Sequence, residues 1–182
     1  MKKEQKNKLE YSLDDLLTSI PINIEALIRA HGLELNKNAD LEDGVLGELR
    51  YENGNFKVSV KKTDHYYRKR FTMAHELAHF VLHKDIISGD VIRDYDPEVS
   101  NNGSYINREV GVSNEQEFEA NLYAAKLLMP EDLVVDYAKE RGVFVDGNID
   151  EEALKEIAMA FQVSKDAMRI RISGLRQKIQ TN

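Results

Sequence analysis

The 182-residue sequence contains no cysteine and no tryptophan, and only three of its residues are proline. Without cysteine the chain can form neither a disulfide nor a thiolate zinc site, and it has no thiol nucleophile. A metal ion would therefore have to bind to histidine, aspartate or glutamate side chains. The lack of cysteine also suits a reducing compartment, so we expect a cytoplasmic protein.

Long apolar runs and an excess of positive charge are also missing. No uninterrupted apolar stretch approaches the ~18 residues of a membrane span, and the charged segment Met1–Leu9 has no apolar stretch behind it. The formal net charge of −7 repels phosphate backbones and disfavours non-specific nucleic-acid binding. We expect a single folded domain over residues 1–182, of which residues 1–11 form a flexible tail.

The pattern of apolar residues predicts an α+β fold. From Leu46 to Lys61 apolar and polar side chains alternate, and Asn53-Gly54 in the middle is typical of a β-hairpin turn. We expect a small antiparallel sheet built on this hairpin, with an edge to which an extended peptide could pair. A polar stretch over residues 84–112 predicts a long loop.

The remaining segments predict helices. The pattern is helical over residues 72–83, and a second long helix begins after the capping-box spacing at Ser113 and ends at Met129-Pro130. Shorter helices are predicted over residues 12–20, 23–31, 130–141, 151–161 and 164–178. The last two would form a helical cap over residues 150–178.

The chemistry of the sequence centres on the motif His75-Glu76-Leu77-Ala78-His79. Residues four apart on a helix point in nearly the same direction, so His75 and His79 can bind one Zn²⁺ ion. Glu76 would take the proton of the water that the zinc activates and pass it to the leaving amine. In a chain of this length and composition, with five histidines, the expected number of chance matches to this motif is about 0.01.

A third zinc ligand must come from another segment, and the helix after Ser113 offers Glu115, Glu117 and Glu119. On an ideal helix Glu117 shares a face with small and apolar residues, whereas Glu119 falls about 200° away, beside a lysine. We therefore predict Glu117 as the ligand. Asn121, one turn later, could hydrogen-bond the second nitrogen of a ligand histidine.

The sequence resembles the ImmA/IrrE metallopeptidases in two long motifs. They are RFTMAHELAH at residues 70–79 and EFEANLYAAKLLMP at residues 117–130. One departure is Ala78, where the family usually has glycine. The resemblance implies a zincin-like core and a zinc-dependent, gluzincin-like peptidase. It also implies a protein substrate, a helix-turn-helix transcriptional repressor whose cleavage relieves repression of stress-response or mobile-element genes.

The sequence is also compatible with two other functions. The chain could be a non-catalytic partner of a repressor or toxin, although binding alone does not require Glu76. The C-terminal pair resembles a helix-turn-helix and could touch DNA through its basic residues, Arg169, Arg171, Arg176 and Lys178, but its apolar stripes suit core packing equally well.

His83, four residues after His79, is a further candidate for a metal ligand. It lies about 12 Å along the helix from His75, too far to share one zinc ion. We expect it to orient a neighbouring residue instead.

Overall fold

The computed structural model describes residues 16–85, 91–96, 112–145 and 147–180. Over these residues the fold is α+β, with one four-stranded sheet, a two-stranded ribbon and seven helices. The predicted tail (1–11) and residues 12–15 of the first predicted helix lie outside the described residues. Residues 17–20 form a turn and a bend, so the helix predicted there was wrong.

The sheet is built on the predicted hairpin. Strands β2 (Val45–Glu52) and β3 (Asn55–Lys61) pair antiparallel. Asn53 and Gly54, with φ of +52° and +84°, form the turn, so the hairpin is confirmed.

Two further strands cover both edges of this hairpin. β1 (Glu34–Ala39) pairs parallel with β3, and β4 (Val91–Tyr95) pairs antiparallel with β2, in the order β1-β3-β2-β4. The sheet is therefore mixed rather than wholly antiparallel, and among the described residues β1 and β4 are its edge strands. The loop predicted over residues 84–112 was wrong at residues 91–95, because pairing with β2 imposes a strand there.

Five helices have bounds close to those predicted. They are α1 (Ile24–Ala30), α2 (Tyr66–His83), α3 (Asn114–Leu128), α4 (Glu131–Glu140) and α5 (Glu151–Phe161). α2 begins six residues before the predicted start, because the His65 side chain accepts a hydrogen bond from the backbone N–H of Tyr67 and caps the helix. The capping box at Ser113 is confirmed.

The helical cap of the fold consists of α5 followed by α6 (Lys165–Gly174) and the short α7 (Arg176–Gln180). The single last helix predicted over residues 164–178 was wrong, because the chain turns at Leu175, which is buried. Between α4 and α5 lies the ribbon of β5 (Phe144–Val145) and β6 (Asn148–Ile149).

Helix α2 lies at the centre of the molecule, with the sheet on one side and α3 on the other. The buried guanidinium of Arg70 donates hydrogen bonds to the carbonyl oxygens of Ile22 (2.9 Å) and Gln162 (3.1 Å). These bonds tie α2 to the segment before α1 and to the turn between α5 and α6. None of the helices in the described ranges is long and apolar enough to cross a membrane.

Candidate metal centre

The candidate site forms where α2 packs against α3. Residues 72–79 of α2 are all buried, and Ala120 and Ala124 of α3 have no exposed surface. Small side chains at a helix contact let the two backbones approach closely. The approach brings Glu117, near the start of α3, over the two histidines of the motif.

The three predicted ligands converge on one point. The Nε2 atoms of His75 and His79 are 2.9 Å apart, and they lie 3.3 Å and 3.6 Å from the two carboxylate oxygens of Glu117. Ligands on a tetrahedral zinc ion with bonds of about 2.0–2.1 Å are about 3.3 Å apart. The group therefore has the donor types and the approximate spacing to hold one metal ion.

Hydrogen bonds on the far side of each imidazole orient these nitrogens. The Nδ1 atom of His75 lies 3.1 Å from Oδ1 of Asn121, so the predicted hydrogen bond is confirmed. The Nδ1 atom of His79 lies 3.1 Å from Nδ1 of His83, and Nε2 of His83 lies 3.2 Å from Oε2 of Glu119. When a metal ion is bound, these contacts would hold the protons of His75 and His79 on Nδ1 and turn both Nε2 lone pairs toward the ion; without an ion, an Nε2–H can donate to Glu117.

Glu76 lies beside this group with no exposed surface. Neither of its carboxylate oxygens has a hydrogen-bond partner in the described structure. A buried carboxylate without partners is costly, and such groups concentrate at functional sites. An activated water at the metal position would give this carboxylate a donor.

Strand β2 makes room for Glu76 through Gly47. A Cβ atom at this position would lie 2.7 Å from Oε1 of Glu76 and 2.3 Å from Cγ2 of Thr72. Glycine is therefore the residue that lets the strand pass this close to the site.

The electrostatics separate the two glutamates. Burial, followed by the charges of Asp94, Glu117 and Glu48, raises the pKa of Glu76 well above its usual range. Burial also raises the pKa of Glu117, but its hydrogen bonds with His75 and His79 outweigh burial and hold that pKa at about 2. Glu117 is thus charged and suited to bind a cation. Without a cation nearby, burial favours the protonated form of Glu76, and a cation at the metal position would favour the carboxylate form that a general base requires.

The pKa values of His79, His75 and Asp94 are shifted in different directions. Burial lowers the pKa of His79. Burial lowers that of His75 too, but hydrogen bonding to Glu117 and the charge of Asp94 give a net increase. Burial raises the pKa of Asp94, on the edge strand β4, to about 6.

The structure thus brings His75, Glu76, His79 and Glu117 together, while the other two candidate glutamates lie apart from the metal position. Glu115 is exposed, and Glu119 contacts His83. Sequence reasoning missed Gly47 and Asp94. They come from strands β2 and β4, and no local pattern links either residue to the motif.

Comparison with known proteins agrees with this geometry. The family described as Peptidase M78, IrrE N-terminal-like domain, matches residues 31–173. No curated protein matches the chain. A solved structure described as a Mycobacterium tuberculosis transcriptional regulator has a TM-score of 0.52 and 18% sequence identity to this chain. The match covers 82% of this chain and 39% of the other, so this chain spans less than half the length of that protein. That likeness concerns the fold alone. Since the family match covers most of the chain, the protein belongs to the Peptidase M78 family of IrrE N-terminal-like domains.

Proposed function

We propose that the protein is a cytoplasmic zinc endopeptidase that hydrolyses one peptide bond in a helix-turn-helix transcriptional repressor. One observation carries the catalytic part of the proposal. The buried carboxylate of Glu76, without a partner of its own, lies beside the nitrogen and oxygen donors of His75, His79 and Glu117. A site that only bound a metal would not require a second, unpaired carboxylate beside the three ligands.

The residues have distinct roles in this reaction. His75, His79 and Glu117 would hold the ion, which when bound supplies a Lewis acid that polarises the peptide carbonyl and lowers the pKa of the attacking water toward ~7. Glu76 accepts a proton from that water at a carboxylate oxygen. It then delivers the proton to the departing amine nitrogen, which completes hydrolysis with no net change in the enzyme.

The edge of the sheet offers a place for the substrate backbone. Both sides of the hairpin are covered, but β4 is an edge strand and carries Asp94, whose charge acts on His75 and Glu76. An extended substrate segment could add to this edge and lie along the site. The choice of a repressor as substrate rests on the resemblance of the two central motifs to the ImmA/IrrE metallopeptidases.

No observation favours DNA contact through the C-terminal pair. Each of the four basic side chains considered for DNA contact is engaged with a group of this chain. The pairs are Arg169 with Glu151, Arg171 with the Met129 carbonyl, Arg176 with the Gly147 carbonyl, and Lys178 with Glu131.

The experiment is co-expression with the protein encoded by the neighbouring gene, tested as the candidate repressor, comparing wild type with Glu76→Gln. We expect one zinc ion per chain, bound by nitrogen and oxygen only, and a single chelator-sensitive cut by the wild type. Glu76→Gln should keep its zinc and make no cut, because an amide of nearly the same size cannot accept the proton. Cutting by the variant at the wild-type rate would contradict the proposal, as would absence of metal after zinc-replete purification.

A further inference from the structure

A groove beside the metal centre is not used by the mechanism above. It lies between α3 and α6 and has a volume of about 510 Å³, within the range of roughly 300–1,000 Å³ typical of ligand sites. Its walls include Phe118, Leu122 and Ile170, with exposed fractions of 67%, 44% and 74%. Exposed apolar clusters of this kind mark interaction surfaces.

Small side chains keep the groove open. Ala125 of α3 and Ala167 and Gly174 of α6 line it together with the larger walls. A Cβ atom at Gly174 would meet nothing within 4 Å. The groove therefore has room for side chains from another molecule.

The groove adjoins the metal centre through Asn121 and through chain neighbours of the candidate ligands. Asn121 lines it and also contacts His75 through the 3.1 Å hydrogen bond. Phe118 follows Glu117 directly in the chain, and Phe71, another lining residue, lies one turn before His75. A peptide in the groove would therefore lie against the two helices that carry the candidate metal ligands.

The charge of the groove is opposite to that of the whole protein. Lys126 and Arg171 line it, and no acidic side chain does so within the described ranges, although the net charge of the chain is −7. The Arg171 guanidinium is held in place by donating from Nε to the carbonyl oxygen of Met129 at 3.0 Å. An occupant that combines apolar side chains with a carboxylate would match both features.

We propose that this groove binds an apolar segment of the protein substrate, flanked by an acidic residue and adjacent to the scissile bond. The inference rests on the proposed peptidase function and adds a substrate preference to it. Ile170 and Phe118 are the specificity-determining residues, because they contribute the most exposed apolar walls on the two sides.

The test uses the zinc-loaded full chain and two probes. The first is a peptide library from a digested proteome, with new cut sites read by mass spectrometry. The second is anilinonaphthalene sulfonate, an apolar anion whose fluorescence reports binding to apolar surface without catalysis. The variants are Ile170→Glu and Gly174→Leu, the latter filling the groove without charge, and Met159→Glu is the control because Met159 is 58% exposed on α5, outside the groove.

We expect wild-type cuts within a few residues of large apolar side chains. Both groove variants should lower kcat/KM at these sites about tenfold or more and weaken dye binding, with zinc content and melting temperature unchanged. The control should match the wild type.

Other outcomes separate the two proposals. If the wild type cuts and both groove variants cut the same sites equally fast, the groove assignment is overturned while the peptidase function stands. If the zinc-loaded wild type cuts neither the library nor its co-expressed repressor, the peptidase function fails and the substrate assignment falls with it. If the wild type is a dimer that Ile170→Glu dissociates, the groove binds a second copy, which also overturns the assignment.

Discussion

His79 and His83 face each other through their Nδ1 atoms, which lie 3.1 Å apart. His83 is itself buried, and its Nε2 atom reaches the carboxylate of Glu119 at 3.2 Å. The proton on His79 Nδ1 can therefore be donated to His83, whose own proton is donated to Glu119. This chain of contacts fixes the tautomer of His79 that presents Nε2 to the metal position.

His83→Phe should weaken zinc binding about 10–100-fold, the usual cost of losing a group that orients a metal-binding histidine. Phenylalanine fills the space but cannot accept the proton of His79. Competition against a coloured chelator measures the affinity. Glu119→Gln is the matched control, because its amide oxygen can still accept the hydrogen bond of His83. Equal affinities for His83→Phe and the wild type would remove His83 from the support of the site.

Glu117→Ala should lose zinc and activity, whereas Glu119→Ala should retain most of both. Glu117 lies 3.3 Å and 3.6 Å from the two Nε2 atoms, while Glu119 is half exposed and acts only through His83. The same chelator titration ranks the two variants. A greater loss of zinc in Glu119→Ala than in Glu117→Ala would reverse the assignment of the third ligand.

Local sequence signals were sufficient for the parts of the fold that depend on short spacings. The spacing of four between His75 and His79 places both imidazoles on one helical face, and the capping residue Ser113 fixes the start of α3. The apolar stripe of α3 determines which face of this helix packs inward. The sequence therefore also predicts that Glu117 and Asn121 lie on that face.

The features that sequence missed depend on contacts between distant segments. Strand β4 carries a weak pattern and forms because β2 offers it an edge. Gly47 is one of ten glycines, and nothing near it in sequence indicates that Thr72 and Glu76 will pack against it. The groove between α3 and α6 likewise arises from the packing of two helices that are separated by the 36 residues between Leu128 and Lys165.

Glu76→Gln should stabilise the metal-free protein at alkaline pH although it abolishes catalysis. The raised pKa of Glu76 means that the folded state binds a proton more tightly than the unfolded chain, whose reference value is 4.5. The free energy of unfolding of the wild type therefore falls as the pH rises above about 4.5 toward the folded-state pKa. Glutamine is neutral at every pH and does not share this loss.

The measurement is thermal unfolding in excess chelator between pH 4.5 and 8. The variant should melt higher at pH 8, by about 2–4 °C for each kcal/mol gained, and the difference should vanish toward pH 4.5. Other carboxylates titrate in both proteins and largely cancel in the difference. A difference in melting temperature between variant and wild type that does not change with pH would contradict the assignment of the pH-dependent loss of stability to Glu76.

Gly47→Ala tests how tightly the sheet is packed against α2. The added Cβ would lie 2.3 Å from Thr72 Cγ2 and 2.7 Å from Glu76 Oε1, closer than non-bonded atoms can approach. Thr72 is β-branched and has few alternative rotamers in a helix, so α2 must shift away from β2 or Glu76 must rotate. Overpacking of this kind costs about 1–3 kcal/mol of unfolding free energy. Displacement of the Glu76 carboxylate should also lower the cleavage rate by a larger factor than it lowers the zinc content.

The matched control is Gly174→Ala, also a glycine to alanine change. Its Cβ would meet no atom within 4 Å, and alanine in a helix is favoured over glycine by up to about 1 kcal/mol. Urea unfolding should therefore show a lower free energy for Gly47→Ala and an equal or higher one for Gly174→Ala. If Gly47→Ala unfolded and cleaved like the wild type, the close approach of β2 to Glu76 would not constrain the base, and the position of Glu76 would have to be attributed to α2 and α3 alone.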